Sequence, residues 1–193
     1  MNTLSHIKVA RLVYGYLEKN YNIKLNKTAF IYGNIAPDFG VDVVRKPHHI
    51  ETYFDFIKSE VESLSRYAGE DLKTNYKYSK RLGVICHYCT DFFCFVHNKD
   101  FTGTPMNHVR YEMKLNKYCR HHYEIIKNLE YVPQYKMLYG ADAISDNILA
   151  LHKIFMSVKQ GFETDWRTTL AACTQSMLYI IQTARGEESS LAC

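Results

Sequence analysis

Histidine and carboxylate side chains recur at helical spacing in two parts of the sequence. His87 and Asp91 lie four residues apart within the apolar stretch VICHYCTDFFCFV, and His108 and Glu112 have the same spacing in NHVRYEMK. Residues four apart share one face of a helix. A carboxylate buried in an apolar face is costly unless it is paired or bound to a metal. Each pair can therefore satisfy itself by a hydrogen bond, or can present two ligands to one metal ion.

Further residues of the same types lie beside an apolar helix face, or where a predicted helix begins or ends: His6, Asp38, His48, His49 and His97. Zinc is bound by imidazole nitrogen and carboxylate oxygen at about 2.0–2.2 Å, and a catalytic zinc keeps one position open for water. Helical bundles build such sites from inward side chains of facing helices. The sequence therefore predicts a metal site with nitrogen and oxygen ligands and no thiolate.

The elements that would position these residues are helices, because apolar residues recur three and four apart nearly everywhere. Helices are predicted over residues 3–20, 27–35, 47–67, 75–97, 105–128, 141–158 and 163–185. Asn2 or Thr3 would cap the first, Thr104 would cap the fifth ahead of Pro105, and Gly186 would end the last. The loop from 130 to 140 is the least regular segment. The expected fold is an all-α, single-domain helical bundle over residues 1–193.

Length and composition agree with one globular domain: 193 residues, 47% hydrophobic, 23% charged and a net charge of +4. That mild charge suits a phosphate-bearing substrate as well as an ordinary surface. No apolar segment is long enough to be transmembrane. The start, MNTLSHIKVARLVYGYL, has no signal-peptide pattern, so we expect a cytoplasmic protein whose six cysteines, including the Cys86–Cys89 pair, are free thiols.

Taken in order, the motifs resemble those of the zinc-dependent phospholipase C family: His6, Pro-Asp-Phe at 37–39, His48, His87 with Asp91, His97, and His108 with Glu112. That family is similar in fold and metal cluster to the zinc nucleases specific for single-stranded nucleic acid. The resemblance implies a helical domain with a multi-zinc cluster in a cleft, with up to three zinc ions per chain.

The same resemblance implies a role for each residue. The first zinc would be held by His48, His87 and Asp91, the second by His97, His108 and Glu112, and the third by His6 and the bridging carboxylate of Asp91. Asp38 would contact the first zinc or its bound water, and it is the candidate catalytic residue, acting as general base.

Two of these assignments have alternatives. The family's histidine precedes an acidic residue by three positions, and Glu51 follows His48 by three, so His48 is preferred and His49 is the alternative. In secreted members a processed N-terminal tryptophan completes the third site through its amine and carbonyl. This chain begins with Met1. Either the Met1 amine reaches the metal, or the third site is weaker, completed by water, or empty.

The implied activity is hydrolysis of phosphodiester bonds, with a metal-bridged water attacking phosphorus in line. The substrate would be a phospholipid or a soluble headgroup diester. One alternative is a single-strand nuclease of the same fold, for which nucleic acid would be the substrate. The other is a metal-binding protein without turnover. Comparing the products released and counting zinc ions per chain would separate the three.

Overall fold

Eight α-helices and no strand occur in the computed structural model, which describes residues 1–39, 48–67, 72–132 and 138–186. In chain order the helices are α1 (Thr3–Tyr21), α2 (Lys27–Gly33), α3 (Ile50–Ser65), α4 (Tyr76–Phe92), α5 (Pro105–His121), α6 (Tyr123–Lys127), α7 (Ala141–Ser157) and α8 (Phe162–Ala184). Two short 3₁₀ helices lie at Ala36–Phe39 and Phe95–His97. The predicted all-α bundle is confirmed. Its extent over all 193 residues stays a prediction.

Two helices form the centre of the bundle. α8 is buried along most of its length and packs against α1, α3, α4, α5 and α7, whereas α4 packs against α2, α3 and α8. The apolar run of α4 explains its place, since a helix that is hydrophobic all round belongs in a core. Among the described residues, no helix combines the length and apolar character needed to cross a bilayer.

Polar side chains at the helix N-termini determine where several helices begin. Asn2, Asn26, Asn75 and Thr104 each accept a hydrogen bond from the backbone N–H three residues on, which pairs a donor that the helix leaves free. Pro105 follows Thr104 at the first helical position, as predicted. At the other end of the chain, Gly186 follows α8 at a positive φ of 64°, also as predicted.

The predicted fourth helix is too long. It was expected to reach residue 97, but α4 ends at Phe92, and His97 lies on a separate 3₁₀ turn. The side chain of Asn98 donates to the carbonyls of Phe92 and Cys94 at 3.1 and 2.8 Å, which ties the end of α4 to the turn that follows it. The residues after Asp91 are apolar, so the hydrophobic pattern did not predict that the helix ends there.

The predicted fifth helix is divided. The imidazoles of His121 and His122 donate to the carbonyls of Lys117 and Tyr118, both at 3.0 Å, so that α5 ends there and α6 begins anew at Tyr123. The other predicted helix bounds agree to within about two residues, apart from the start of α3. The expected start at residue 47 and part of the 130–140 loop lie outside the described residues.

α2 and α4 approach each other through two glycines. A Cβ atom at Gly33 would lie 2.0 Å from the carbonyl oxygen of Lys80, and one at Gly83 would lie 2.2 Å from that of Phe30. Both obstacles are backbone, which no rotamer change relieves. Because Gly83 lies one turn before His87 on α4, this contact also determines the position of His87 relative to the end of α2.

We therefore expect Gly83→Ala to force α2 and α4 apart and to lower the free energy of unfolding by about 1–3 kcal/mol, the usual cost of overpacking. Gly15→Ala is the matched control, because Gly15 also lies within a helix but has nothing within 4 Å of its Cβ position. That substitution should stabilise the protein by about 0.5–1 kcal/mol through helix propensity and the unfolded chain. Urea unfolding measures both, and equal stabilities would contradict the close contact.

Candidate metal centre

The structure brings the eight predicted site residues together at one end of the bundle. His6, Asp38, His87 and Asp91 each offer a ligand atom within 4.8 Å of the others' ligand atoms, and His97, His108 and Glu112 form a second such group. His48 joins the first group, with its Nδ1 atom 2.9 Å from Asp91 Oδ2. The side chains come from α1, α4 and α5, the two 3₁₀ turns and the segment before α3.

The carboxylate of Asp91 lies at the centre of the cluster and is only 1% exposed. Its Oδ2 atom faces His48 and His87, whose nearest nitrogens are 2.9 and 3.4 Å away. Its Oδ1 atom faces the Nε2 atoms of His6 and His97 at 3.3 and 3.7 Å. One buried carboxylate therefore has imidazole nitrogens on both sides, which is the arrangement of a bridging ligand.

Four atoms surround one point next to Asp91 Oδ2. His87 Nε2 lies 3.0 Å from His48 Nδ1, 3.4 Å from Asp91 Oδ2 and 3.6 Å from Asp38 Oδ1. Tetrahedral zinc ligands at about 2.0–2.1 Å from the ion are separated from one another by about 3.3 Å. The observed separations have this size, and the donor set of two imidazoles and two carboxylates is one that zinc accepts.

The second group lies where α5 faces the turn that carries His97. Glu112 Oε1 is 3.0 Å from His97 Nε2 and 3.1 Å from His108 Nε2. The buried main-chain nitrogen of Met1 is 2.8 Å from His97 Nε2 and 3.4 Å from Glu112 Oε1, and it contacts Asp91 as well. This nitrogen thus lies between the two groups.

Asn34, at the end of α2, determines which ring nitrogens face the cluster. His87 Nδ1 donates to the Asn34 carbonyl at 2.9 Å, and His6 Nδ1 donates to the Asn34 side-chain oxygen at 3.2 Å. A neutral imidazole that donates from Nδ1 carries a lone pair on Nε2. Both lone pairs consequently point towards carboxylate oxygens, and the buried Nε2 atom of His6 has no hydrogen-bond partner. A cation between these acceptors would satisfy all of them.

Burial keeps the imidazoles of His87 and His97 neutral. It lowers the pKa of His97 to about 4 and that of His87 well below its ordinary value of 6.5. Neutral rings cannot compensate the charges of Asp91 and Glu112. Burial also raises the pKa of Asp38, which is partly exposed at the cleft. The unpartnered nitrogen, the facing lone pairs and the ligand types all fit bound zinc.

His49 does not join either group. It is the N-cap residue of α3 and lines the cleft next to His48.

The aromatic rings of Tyr53 and Tyr88 stack on each other with centroids 4.5 Å apart and pack against His48 at 5.3 and 5.1 Å. These rings shield the inner side of His48 from water and restrict its orientation.

Asp165 was missed by the sequence analysis. Its buried Oδ2 atom accepts hydrogen bonds from the backbone N–H of Phe95 at 3.1 Å and from the hydroxyl of Tyr111 at 3.0 Å. It therefore connects the turn that carries His97 to the helix that carries Glu112. An acidic residue in the first turn of a helix is ordinary, so no signal distinguished it. Asn34 was also missed, although a buried histidine needs an acceptor and Asn34 lies just before the Pro-Asp-Phe motif.

The fold and the cluster together define a helical protein with a candidate metal centre of imidazole and carboxylate ligands. A family model described as zinc dependent phospholipase C matches residues 5–161, so the chain belongs to that family and is, in general terms, a zinc-dependent phospholipase C-like hydrolase. No curated protein and no solved structure matches the chain.

Asp165 gives a test of how the second group is supported. Asp165→Ala leaves the Phe95 N–H and the Tyr111 hydroxyl without their acceptor, which should cost about 1 kcal/mol of stability for each of these partly buried donors. Asp165→Asn keeps an acceptor oxygen and should cost clearly less. Denaturant unfolding compares the two variants, and equal losses would show that these hydrogen bonds contribute nothing.

The same carboxyl predicts a pH dependence. Burial raises the pKa of Asp165 from 3.8 to about 7, so the folded protein keeps this proton over a range in which the unfolded chain has lost it. From about pH 4 to about pH 7, the free energy of unfolding of the wild type, relative to that of Asp165→Asn, should fall as pH rises. Unfolding curves at several pH values measure the difference, and a rising difference would contradict the prediction.

Proposed function

We propose that this protein hydrolyses the phosphodiester bond of a phospholipid-type substrate at a zinc cluster centred on Asp91. One observation carries the proposal: a buried carboxylate with imidazole nitrogens beside both of its oxygens. Membership of the zinc-dependent phospholipase C family supports the same reaction class. Hydrogen bonds within the cluster do not satisfy every member, because the buried Nε2 atom of His6 faces Asp91 Oδ1 at 3.3 Å without a hydrogen-bond partner.

The proposed ligand assignment has three parts. His48, His87 and Asp91, with Asp38 beside them, would hold the first zinc; His97, His108 and Glu112 would hold the second; His6 and Asp91 would hold the third, together with the Met1 amine in a chain that starts at this residue. The separations of about 3 Å between neighbouring ligand atoms support the first two sites. The unpartnered Nε2 atom of His6 supports the third.

When bound, zinc at such a site acidifies water and neutralises phosphoryl oxygens as charge develops on them. The chain's own residues would accept the proton and orient the ligands. Asp38 lines the cleft, is partly exposed, and has its Oδ1 atom 3.6 Å from His87 Nε2, so it can accept a proton at the edge of the cluster. Asn34 would hold the rings of His6 and His87 in the tautomer that leaves Nε2 free.

Two substitutions separate metal binding from turnover. Asp91→Asn should lower the zinc content per chain and abolish hydrolysis, because the neutral amide replaces the bridging charge. Asp38→Asn should keep most of its zinc, because His48, His87 and Asp91 remain to hold the first ion, and should lower kcat about 10²–10⁴-fold, the usual contribution of a general base. Asp100→Asn is the control, since Asp100 is exposed and lies outside both groups. Elemental analysis and hydrolysis of a chromogenic phosphodiester are the measurements.

The substrates offered also decide between functions. Release of phosphorylated headgroup from phosphatidylcholine, or cleavage of glycerophosphocholine as a soluble diester, supports the phospholipase reaction. Release of nucleotides from single-stranded DNA instead would make the chain a nuclease. Full zinc occupancy with no hydrolysis of any of these substrates would make it a metal-binding protein without turnover and would refute the proposal.

Asn34→Ala should lower zinc affinity about 10–100-fold without removing any ligand, because His6 loses its side-chain acceptor. Competition with a chromophoric zinc chelator measures the change. Asn128→Ala is the matched control, since that exposed amide only donates to the carbonyl of Glu124. Unaltered zinc affinity in Asn34→Ala would show that the tautomer of His6 is set in another way.

A further inference from the structure

α5 carries different residues on its two sides. His108 and Glu112 face the metal groups, and Leu115 is fully buried. On the opposite side, Met106, Val109 and Met113 are exposed by 58, 50 and 62%. These three lie three and four residues apart, so they form one apolar stripe along the helix. Single exposed apolar residues are common on soluble proteins, but a row of three on one face points to a partner.

Basic side chains flank this stripe. Arg110, Lys114 and Lys117 are exposed on α5, and the helix contains no acidic residue other than the inward-facing Glu112. Within the part of the chain that the structure describes, none of these three cations forms an ion pair. An apolar stripe with unpaired lysine and arginine beside it is the composition of helices that lie at the surface of anionic membranes.

The stripe also adjoins the candidate active site. A groove lined by Phe101, Pro105 and Val109 meets the cleft that the candidate metal ligands line, and the two share His108 and Val96 as lining residues. Phe39, another residue of the cleft, is 72% exposed. Exposed apolar side chains therefore lie at the entrance to the cleft, and one of them, Val109, is on the same helix as the proposed zinc ligands His108 and Glu112.

We propose that the outer face of α5 docks the protein onto an anionic phospholipid surface and brings the cleft to its lipid substrate. The inference rests on the proposed function, because it names the physical state of the substrate that this site would meet. Apolar side chains would enter the interface while the lysines and arginine pair with lipid phosphates. A second copy of the chain is a poorer occupant, since a two-fold interface would place these like charges opposite one another.

The test is cosedimentation of the zinc-loaded protein with vesicles. The wild type should bind phosphatidylcholine vesicles that contain phosphatidylserine more tightly than vesicles of phosphatidylcholine alone, and added salt should weaken the binding. Met106→Ser/Met113→Ser and Lys114→Glu/Lys117→Glu should each reduce binding about tenfold or more. The matched controls are Lys153→Glu/Ile154→Ser and Lys153→Glu/Lys159→Glu, which alter exposed residues beyond α5, and they should bind like the wild type.

Hydrolysis assays on a soluble diester and on vesicles distinguish a failure of the docking proposal from a failure of the proposed function. The α5 variants should cleave a soluble phosphodiester like the wild type and lose activity only on vesicles. If they bind and cleave vesicles like the wild type, the docking proposal is wrong although the proposed function stands. If the wild type binds vesicles through α5 but cleaves no phosphodiester, the proposed function is wrong and the docking stands. Variants that convert a dimer to a monomer with vesicle binding unchanged would assign the face to self-association and overturn the proposal.

Discussion

A negative charge in the interior of the bundle is the constraint from which the architecture of this site follows. Asp91 is almost fully buried, and burial lowers the pKa of His87 and His97, which keeps these two of the surrounding imidazoles neutral. Neutral rings that direct lone pairs at a carboxylate would be unfavourable on their own. The arrangement is favourable only if a positive charge lies between the carboxylate and the imidazole nitrogens. In a chain that starts at Met1, its amine would supply part of that charge where it contacts Asp91.

The surrounding elements serve to bring these groups to one place. α4 supplies the central carboxylate and ends one residue later, which frees the chain to turn back and present His97. Asp165 holds that turn by its backbone N–H and holds α5 through Tyr111. The second group of ligands is therefore supported from α8, a helix that contributes none of the predicted ligands itself.

The helical spacing of the sequence was enough to predict the bundle and the residues that gather in it. Pairs such as His87 with Asp91 were visible because both the spacing and the apolar surroundings are local properties of the sequence. The break after Phe92 was not visible, since it depends on hydrogen bonds from the Asn98 side chain to the carbonyls of Phe92 and Cys94, contacts that hydrophobic periodicity does not encode.

Asp165 was not predicted from the sequence for a different reason. It lies 70 positions from Phe95, the residue it holds, and only the folded chain brings the two together. The same limit applies to the choice between His48 and His49. Adjacent residues project from the chain in different directions, and the tertiary structure decides which of them reaches Asp91. In this structure that residue is His48, whereas which side chains bind zinc stays a proposal.

The contact between Gly33 and Gly83 has a consequence for the dynamics of the centre. Where side chains separate two helices, their spacing fluctuates as rotamers exchange, and ordering those side chains costs entropy. Here backbone meets backbone, so there is no torsional freedom to lose and no alternative packing to visit. Asn34 follows one glycine directly, and His87 lies one turn beyond the other. In thermal motion the His87 imidazole and its acceptor Asn34 should therefore move together as a rigid unit, so the ring orientation stays constant while the outer helices fluctuate.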